Sequence, residues 1–392
     1  MIAASIGVGT GKDPQKAGRE ACAAALSGLP PGKKADALIV FCSIALDQDK
    51  MLDGVGELAS DAVIVGCSSA GEISSEGISS EGSVVIMAIS SDQVQFWGAM
   101  GNHILWNPKK AGEECANTLQ YNSRGYMSSC LTFLDVLSGN ADATIGGFMS
   151  KLGPSFPVCG GVASDDLLFF ETYQYFQNKA YRGSIVGLGL SGEYQAAAVA
   201  MHGFLPIGIA RKVTRSEGTT LLELDGKPAT SIYEDYFGLE HTHDLHVGLL
   251  PSLATSYPLG VYLSDSEEVL LRNPIFVDQK GGMTFASAIP VGAEIRLMIS
   301  DVERGLETAE LAANEVIKKL NGKKPKAVII INSVSRKKMF GLRVDEEIEV
   351  IQRILGRDVP MVGFYSYAQV GGQSGPDLQF HNGSLLIWAI AE

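Results

Sequence analysis

The residues best equipped for chemistry follow short apolar runs. VGCSSAGEIS, residues 65–74, sets a thiol (Cys67), three hydroxyls (Ser68, Ser69, Ser74) and a carboxylate (Glu72) directly after a strand-like segment. Nucleophilic use of Cys67 needs a base nearby and a lowered thiol pKa. No histidine stands within thirty residues of it, and the chain has only six. A small buried residue at a strand exit is therefore the simpler expectation for Cys67. CGGVASDD, residues 159–166, carries Asp165 and Asp166, a pair suited to acid–base or metal work. Without further acids at ligand spacing, a capped turn or a polar pocket contact is the plainer expectation. GFYSYAQVGG, residues 363–372, adds Tyr365 and Tyr367, and Arg272 lies upstream in a β-rich region. The nucleotide, esterase and zinc-protease signatures G-x-x-x-x-G-K-[ST], G-x-S-x-G and H-E-x-x-H are absent.

Three of the histidines, His241, His243 and His246, fall in one segment beside Tyr236, Phe237, Leu245, Leu249 and Leu250. A haem site needs one axial imidazole, an apolar slot and restricted distal polarity, which such a segment could supply. Zinc needs three or four tetrahedral ligands, and the spacing is poor for that. A solvated loop whose histidines contact nothing is the plain alternative. His103 and His202 read as packing or surface residues, and His381 as the end of a turn.

The elements that must position these residues repeat. DPQKAGREACAAAL from Asp13 matches NPKKAGEECANTLQ from Asn107, and VGCSSAGE from Val65 matches CGGVASDD from Cys159, both at an offset of 94. Each unit runs strand, helix, strand, helix, glycine-containing strand exit, and a final strand announced by Gly-Ser (Gly82-Ser83, Gly183-Ser184). The C-terminal part repeats the pattern and ends on Gly383-Ser384. Asp13-Pro14 and Asn107-Pro108 read as N-cap plus first helical residue. Leu311, Val316 and Leu320, with Ala309, Ala312 and Ala313, predict the apolar face of the third unit's first helix. Runs such as KAVIIINSV are apolar on both faces, so their strands must be covered on both sides. The fold class is α/β: a layered sandwich of mixed sheets built from three βαβαββ-type units. A β-rich insertion, residues 193–293, carries turn signals at Asp225-Gly226 and Gly281-Gly282. Gly66, Gly160 and Gly363 share one position while the residues after them differ. Backbone geometry is thus the shared element, and the three exit loops are expected to line one pocket.

A net charge of −13 with no basic patch excludes nucleic acid as a partner. With 46% hydrophobic residues, long disordered segments are not expected. No apolar run approaches the roughly 20 residues that span a bilayer, and the N-terminus lacks a signal-peptide pattern. A cytoplasmic protein with reduced, buried cysteines follows as the expectation, and an oligomer is compatible with it.

At this point VGCSSAGEIS, CGGVASDD, LELDGKPATSIYEDYFG (222–238), YPLGV (257–261), RNPIFVDQKGGMTFASAIPVGAEIRL (272–297) and GFYSYAQVGG together resemble the FIST family. The resemblance implies a FIST N-terminal domain over 1–220, holding repeats at about 1–92 and 93–192, and a FIST C-terminal domain over 221–392. One motif departs: where family members commonly show Tyr-Gly-Glu-Ile, this chain has Tyr367-Ala368-Gln369-Val370. The family implies a sensory module for small ligands such as amino acids. With both domains filling the chain, the output would be a partner acting in trans. One stand-alone bacterial group binds haem and reports nitric oxide to a histidine kinase.

Two functions follow as expectations. The first is a sensor, with haem on His241, His243 or His246, or a small ligand such as an amino acid held by Ser68, Ser69, Asp165, Asp166, Arg272, Tyr365 and Tyr367. The second is an enzyme of unknown reaction using Cys67, Asp165, Asp166 and Tyr365. The sensor is favoured, because no nucleophile–base pair can be named.

Overall fold

The computed structural model describes residues 1–78, 82–238, 250–263, 269–371 and 380–392. Three sheets of one design form its body. In the first, the order is Ile2–Thr10, Ser83–Ser91, Ala37–Ser43, Val63–Ser69. Only the last two are parallel, joined through the helix Gln48–Ala59. The second sheet repeats this with Val94–Gly101, Ile185–Gly192, Ser129–Leu134 and Val158–Val162. The third does so with Gln195–Met201, Leu385–Ala391, Ala327–Ser333 and Met361–Ser366. The sequence places Gln195–Met201 in the insertion, but its pairing with Leu385–Ala391 completes the third unit.

Each sheet is finished by its neighbour. Gln174–Phe176, from the second unit, pairs with Val63–Ser69 of the first. Gln369–Gly371, from the third, pairs with Val158–Val162 of the second. Glu72–Ser74, from the first, pairs with Met361–Ser366 of the third. The exchange closes into a ring, so no unit is complete alone.

The helices begin where the sequence says. Asp13 and Asn107 accept the N–H groups of Lys16 and Lys110, both at 3.1 Å, and Asp301 accepts that of Arg304 at 2.9 Å. In Val302–Lys319, Ala309, Ala312, Ala313 and Val316 are buried, as is Leu320 just beyond it, but Leu311 is 62% exposed. At 100° per residue Leu311 falls opposite the alanine stripe, so its apolar character does not put it on the packed face. Helices cover one face of the sheets, and the other faces meet in a common core. There Phe41 stacks on Phe364 at 4.5 Å, with Phe133 edge-on to both at 5.5 and 6.0 Å. Strands such as Ala37–Ser43 and Ala327–Ser333 are therefore buried at every position.

The β-rich insertion has its own core around Leu221, Tyr233, Leu259 and Ile295. A long strand, Leu205–Glu217, spans it. The Asp225-Gly226 turn has positive φ at both residues (52° and 78°), the geometry that two-residue hairpins require.

Candidate functional site

Gly66, Gly160 and Gly363 do occupy equivalent positions. A Cβ on each would lie 1.8, 1.8 and 2.0 Å from the carbonyl oxygens of Val40, Thr132 and Ile330 on the adjacent parallel strand. Only glycine permits that approach, which brings the three exit loops together.

The loops meet in a packed hub. Ser68 Oγ donates to Ser164 O at 2.9 Å, Ser164 Oγ to Tyr365 O at 2.5 Å, and Ser366 Oγ to Val162 O at 2.6 Å. Ala70 N reaches Tyr365 O at 3.1 Å. Ser68, Ser69 and Tyr365 are fully buried in this hub. The serine hydroxyls and the Tyr365 backbone hold loops to one another, while the Tyr365 hydroxyl finds no partner among the described residues. Cys67 is buried too, and burial pushes its thiol well above the ordinary range. That is the opposite of what a nucleophile needs.

The sequence reading left Glu72 out of the site, yet it is the most perturbed acid here. It accepts the Ser69 and Ser83 hydroxyls and is completely buried. Burial raises its pKa to about 7; Ser69, Ser83 and the Lys337 charge oppose the rise and the Asp166 charge adds to it. Lys337 Nζ donates to Ala70 O and sits 5.4 Å over the Tyr365 ring.

Asp165 and Asp166 separate in role. Asp165 is buried and accepts the backbone N–H groups of Phe169 (3.0 Å), Phe170 (2.7 Å) and Glu171 (2.9 Å), together with the Tyr367 hydroxyl. It is the capped-turn outcome, with both oxygens engaged. The loop that it ties holds Asp166, Leu167 and Phe169 at φ of 57°, 64° and 51°, conformations non-glycine residues seldom adopt. Asp166 itself is exposed. Among the described residues no group of three histidines, cysteines or acids could hold a metal ion.

One wall of a cleft is built by that loop. Tyr367 stacks on Phe169 at 4.6 Å and 11°, and both face a small hollow of about 30 Å³ between the β-rich insertion and the second and third units. Val136, Leu167, Ile275, Ala286 and Val334 make it largely apolar, and Thr255, Asn273 and Asn382 add polar groups. Asn382 joins the sides: its Oδ1 accepts Asn273 N at 3.3 Å and its Nδ2 donates to Tyr367 O at 2.8 Å. Asn273 Oδ1 is buried and finds no partner among the described residues. A second, roomier hollow, of about 310 Å³, shares Thr255 and is lined by Ser256, Ser300, Asp301 and Ser335.

Arg272 is buried behind Asn273, with Nη1 donating to Leu271 O at 2.9 Å and Phe380 O at 2.7 Å. Of the expected ligand contacts, Tyr367 thus lines the cleft, Asp165 braces its wall and Arg272 adjoins it. His241, His243 and His246 lie outside the described residues. His381, expected to end a turn, is instead buried in the strand Phe380–His381, paired with Gln369.

A FIST N domain matches residues 36–227 and a FIST C domain residues 229–371. The chain belongs to the FIST family. FIST domains are small-ligand sensing domains, and in this FIST protein the cleft takes Val136, Leu167 and Phe169 from the N domain and Thr255 to Tyr367 from the C domain. Among curated relatives, an uncharacterised protein of Mycobacterium tuberculosis is 22% identical over 383 residues, 94% of this chain and 95% of that one. An uncharacterised protein of Methanocaldococcus jannaschii is 26% identical over 207 residues, 50% of this chain and 40% of that one. Among solved structures, a cyanuric acid hydrolase from A. caulinodans is similar at a TM-score of 0.37 and 8% identity, covering 100% of this chain and 99% of its own. A chorismatase gives 0.38 and 9%, covering 100% and 98%. No helix of the described residues is long and apolar enough to cross a membrane.

Proposed function

We propose that this FIST protein is a sensor whose small ligand occupies the cleft between its two FIST domains, and that a separate signalling partner reads the occupied state. The observation that carries this is the loop 165–170. Its inner side gives the cleft Leu167 and Phe169, and its outer side exposes Leu168 (69%) and Phe170 (82%). Three left-handed residues are held in place by Asp165, and such backbone strain gathers at ligand clamps and switches. A ligand pressing on Tyr367 or Phe169 would change the balance of that strained loop, and its exposed apolar residues would carry the change to a partner. A mostly apolar wall with a few orienting polar groups suits a small metabolite such as an amino acid. Cys67 is ill suited as a nucleophile, since it is a buried thiol with a raised pKa, and Asp165 has both oxygens engaged.

Haem is the second ligand reading, with nitric oxide as the signal and a histidine kinase as the partner. It rests on the resemblance and on the clustering of His241, His243 and His246. Among the described histidines, His202 Nδ1 accepts Phe204 N and His381 is buried in a strand pairing.

Thermal unfolding of the full chain against a panel of amino acids and small organic acids, for the wild type and Ile275→Trp, tests the cleft. A stabilising ligand should lose its effect when the tryptophan fills the hollow. An equal shift in both proteins would reject the cleft as the site. A haemin titration tests the second reading: a stoichiometric Soret band lost in His241→Ala, His243→Ala or His246→Ala would establish haem, and no band would remove it.

A further inference from the structure

The second hollow, of about 310 Å³, is far roomier than the first. A cavity of about 150 Å³ already admits benzene, so this one has space for a substituted ring. Three segments enclose it: the end of the helix Leu250–Ser256, the turn from the strand Glu294–Ile299 into the helix Val302–Lys319, and the helix Val334–Phe340. Bonds between segments fix its walls. Ser300 Oγ donates to Gly203 O at 3.0 Å, Met298 N to Pro258 O at 2.9 Å, and Tyr233 Oη to Tyr257 O at 3.0 Å.

The lining selects by charge first. Asp301 is the charged residue of this hollow, and no lysine, arginine or histidine lines it among the described residues. An anion would meet that carboxylate unanswered. Asp301 also caps the 18-residue helix Val302–Lys319, its Oδ1 accepting Arg304 N at 2.9 Å. The positive helix end answers the carboxylate's charge and weakens any call for a cation. Hydrogen bonding selects next. Asp301 Oδ2 has no partner among the described residues and remains an acceptor. Ser335, 1% exposed, accepts Asn273 Nδ2 at 2.9 Å through Oγ, which leaves the hydroxyl proton to donate. Ser300 Oγ has given its proton to Gly203 O and can still accept. Acceptors and a donor lining one hollow match hydroxyl groups, each of which does both. Phe204, Tyr257, Ile299 and Met339 supply apolar surface for a carbon skeleton.

We infer that the second hollow binds a small neutral polyol of the monosaccharide or cyclitol class, with Asp301 accepting from its hydroxyls and Ser335 donating to one. The inference stands apart from the cleft reading. Calorimetric titration of the full chain with D-glucose, D-ribose and myo-inositol tests it, with ethylammonium and acetate as charged comparisons. The proteins are the wild type, Asp301→Asn, Met339→Trp and Ile275→Trp. Asparagine caps a helix as well as aspartate does, so Asp301→Asn keeps the fold while turning the Oδ2 acceptor into a donor. One polyol should bind the wild type, and neither ion should. Asp301→Asn should weaken that binding by about tenfold or more, the effect of losing a charged hydrogen-bond acceptor. Met339→Trp, which fills this hollow, should abolish it, and Ile275→Trp, which fills the other, should leave it nearly unchanged. Binding lost in Ile275→Trp but kept in Met339→Trp would put the polyol in the cleft and overturn the second site. Binding unchanged in Asp301→Asn, no binding of any polyol, or binding of ethylammonium or acetate in their place would also overturn it.

Discussion

Glu72 and Gln369 occupy the same position in two units. Each pairs with the residue that follows a neighbouring unit's glycine, Phe364 for Glu72 and Gly161 for Gln369. Each also holds the serine that opens its own unit's last strand: Glu72 takes the Ser83 hydroxyl, and Gln369 Oε1 takes Ser384 N at 3.2 Å. Gln174 does the same for Ser184 N at 3.2 Å. An amide therefore suffices for the structural task, and the acid in the first unit adds only a proton equilibrium.

That equilibrium has a definite sign. Because burial lifts Glu72 from 4.5 to about 7, the folded chain holds a proton that the unfolded chain releases. The contribution is fully present below about pH 4.5 and is lost as pH rises through about 7. Glu72→Gln should be close to neutral at pH 5 and stabilising at pH 8, by on the order of 3 kcal/mol. Urea unfolding at the two pH values measures this, and an equal effect at both would contradict it.

On the acid side His381, buried, and His202, half-buried, act in the opposite sense. His202 and His381 are lowered to about 4 and about 3, chiefly by burial, so the stability they contribute is present above pH 6.5 and lost as pH falls toward those values. His202→Gln should flatten the fall in stability between pH 6.5 and 4. An unchanged slope would show that His202 is charged in the folded chain.

The glycine geometry predicts a contrast between two alanine substitutions. Gly160→Ala sets a Cβ 1.8 Å from Thr132 O and should destabilise by about 3 kcal/mol or more. Gly146 lies in the helix Ala141–Leu152, exposed and with nothing within 4 Å of its Cβ position. Gly146→Ala should stabilise by about 0.5–1 kcal/mol. Chemical denaturation ranks the two, and similar effects would refute the close approach.

Arg336 and Glu347 form a fully buried ion pair, completed by Asn332 Nδ2 on Glu347 at 2.6 Å and by His202 O and Gly305 O on Arg336 at 3.0 and 2.9 Å. Glu347→Gln leaves a buried guanidinium without its counter-charge and should cost about 3–5 kcal/mol. Arg336→Met combined with Glu347→Gln should cost less than the two single changes added together. Strict additivity in a double-mutant cycle would mean that the pair does not interact.

The three-unit plan was legible in the sequence because it rests on signals that survive divergence. These are helix caps at Asp13 and Asn107, glycines at 66, 160 and 363, and strands apolar on both faces. The strand exchange was not legible, since it is made by segments of three residues, too short for any periodicity. The repeat also aligned Glu72 with Asp166, because the loop that follows Asp165 lengthens the second unit. The structural equivalent is Gln174. Asn273 and Asn382 carried no spacing signal, and only the fold shows that two distant segments meet at the cleft. Glu72 stood in plain view in VGCSSAGEIS, but its burial follows from strand pairing with the third unit, which no local pattern reveals.

The most direct measurement is a crystal structure of the full chain with the most stabilising ligand from the metabolite panel. The account predicts electron density against Tyr367, Ile275 and Asn273. Density for the ligand at any other place, with the cleft holding only solvent, would contradict it.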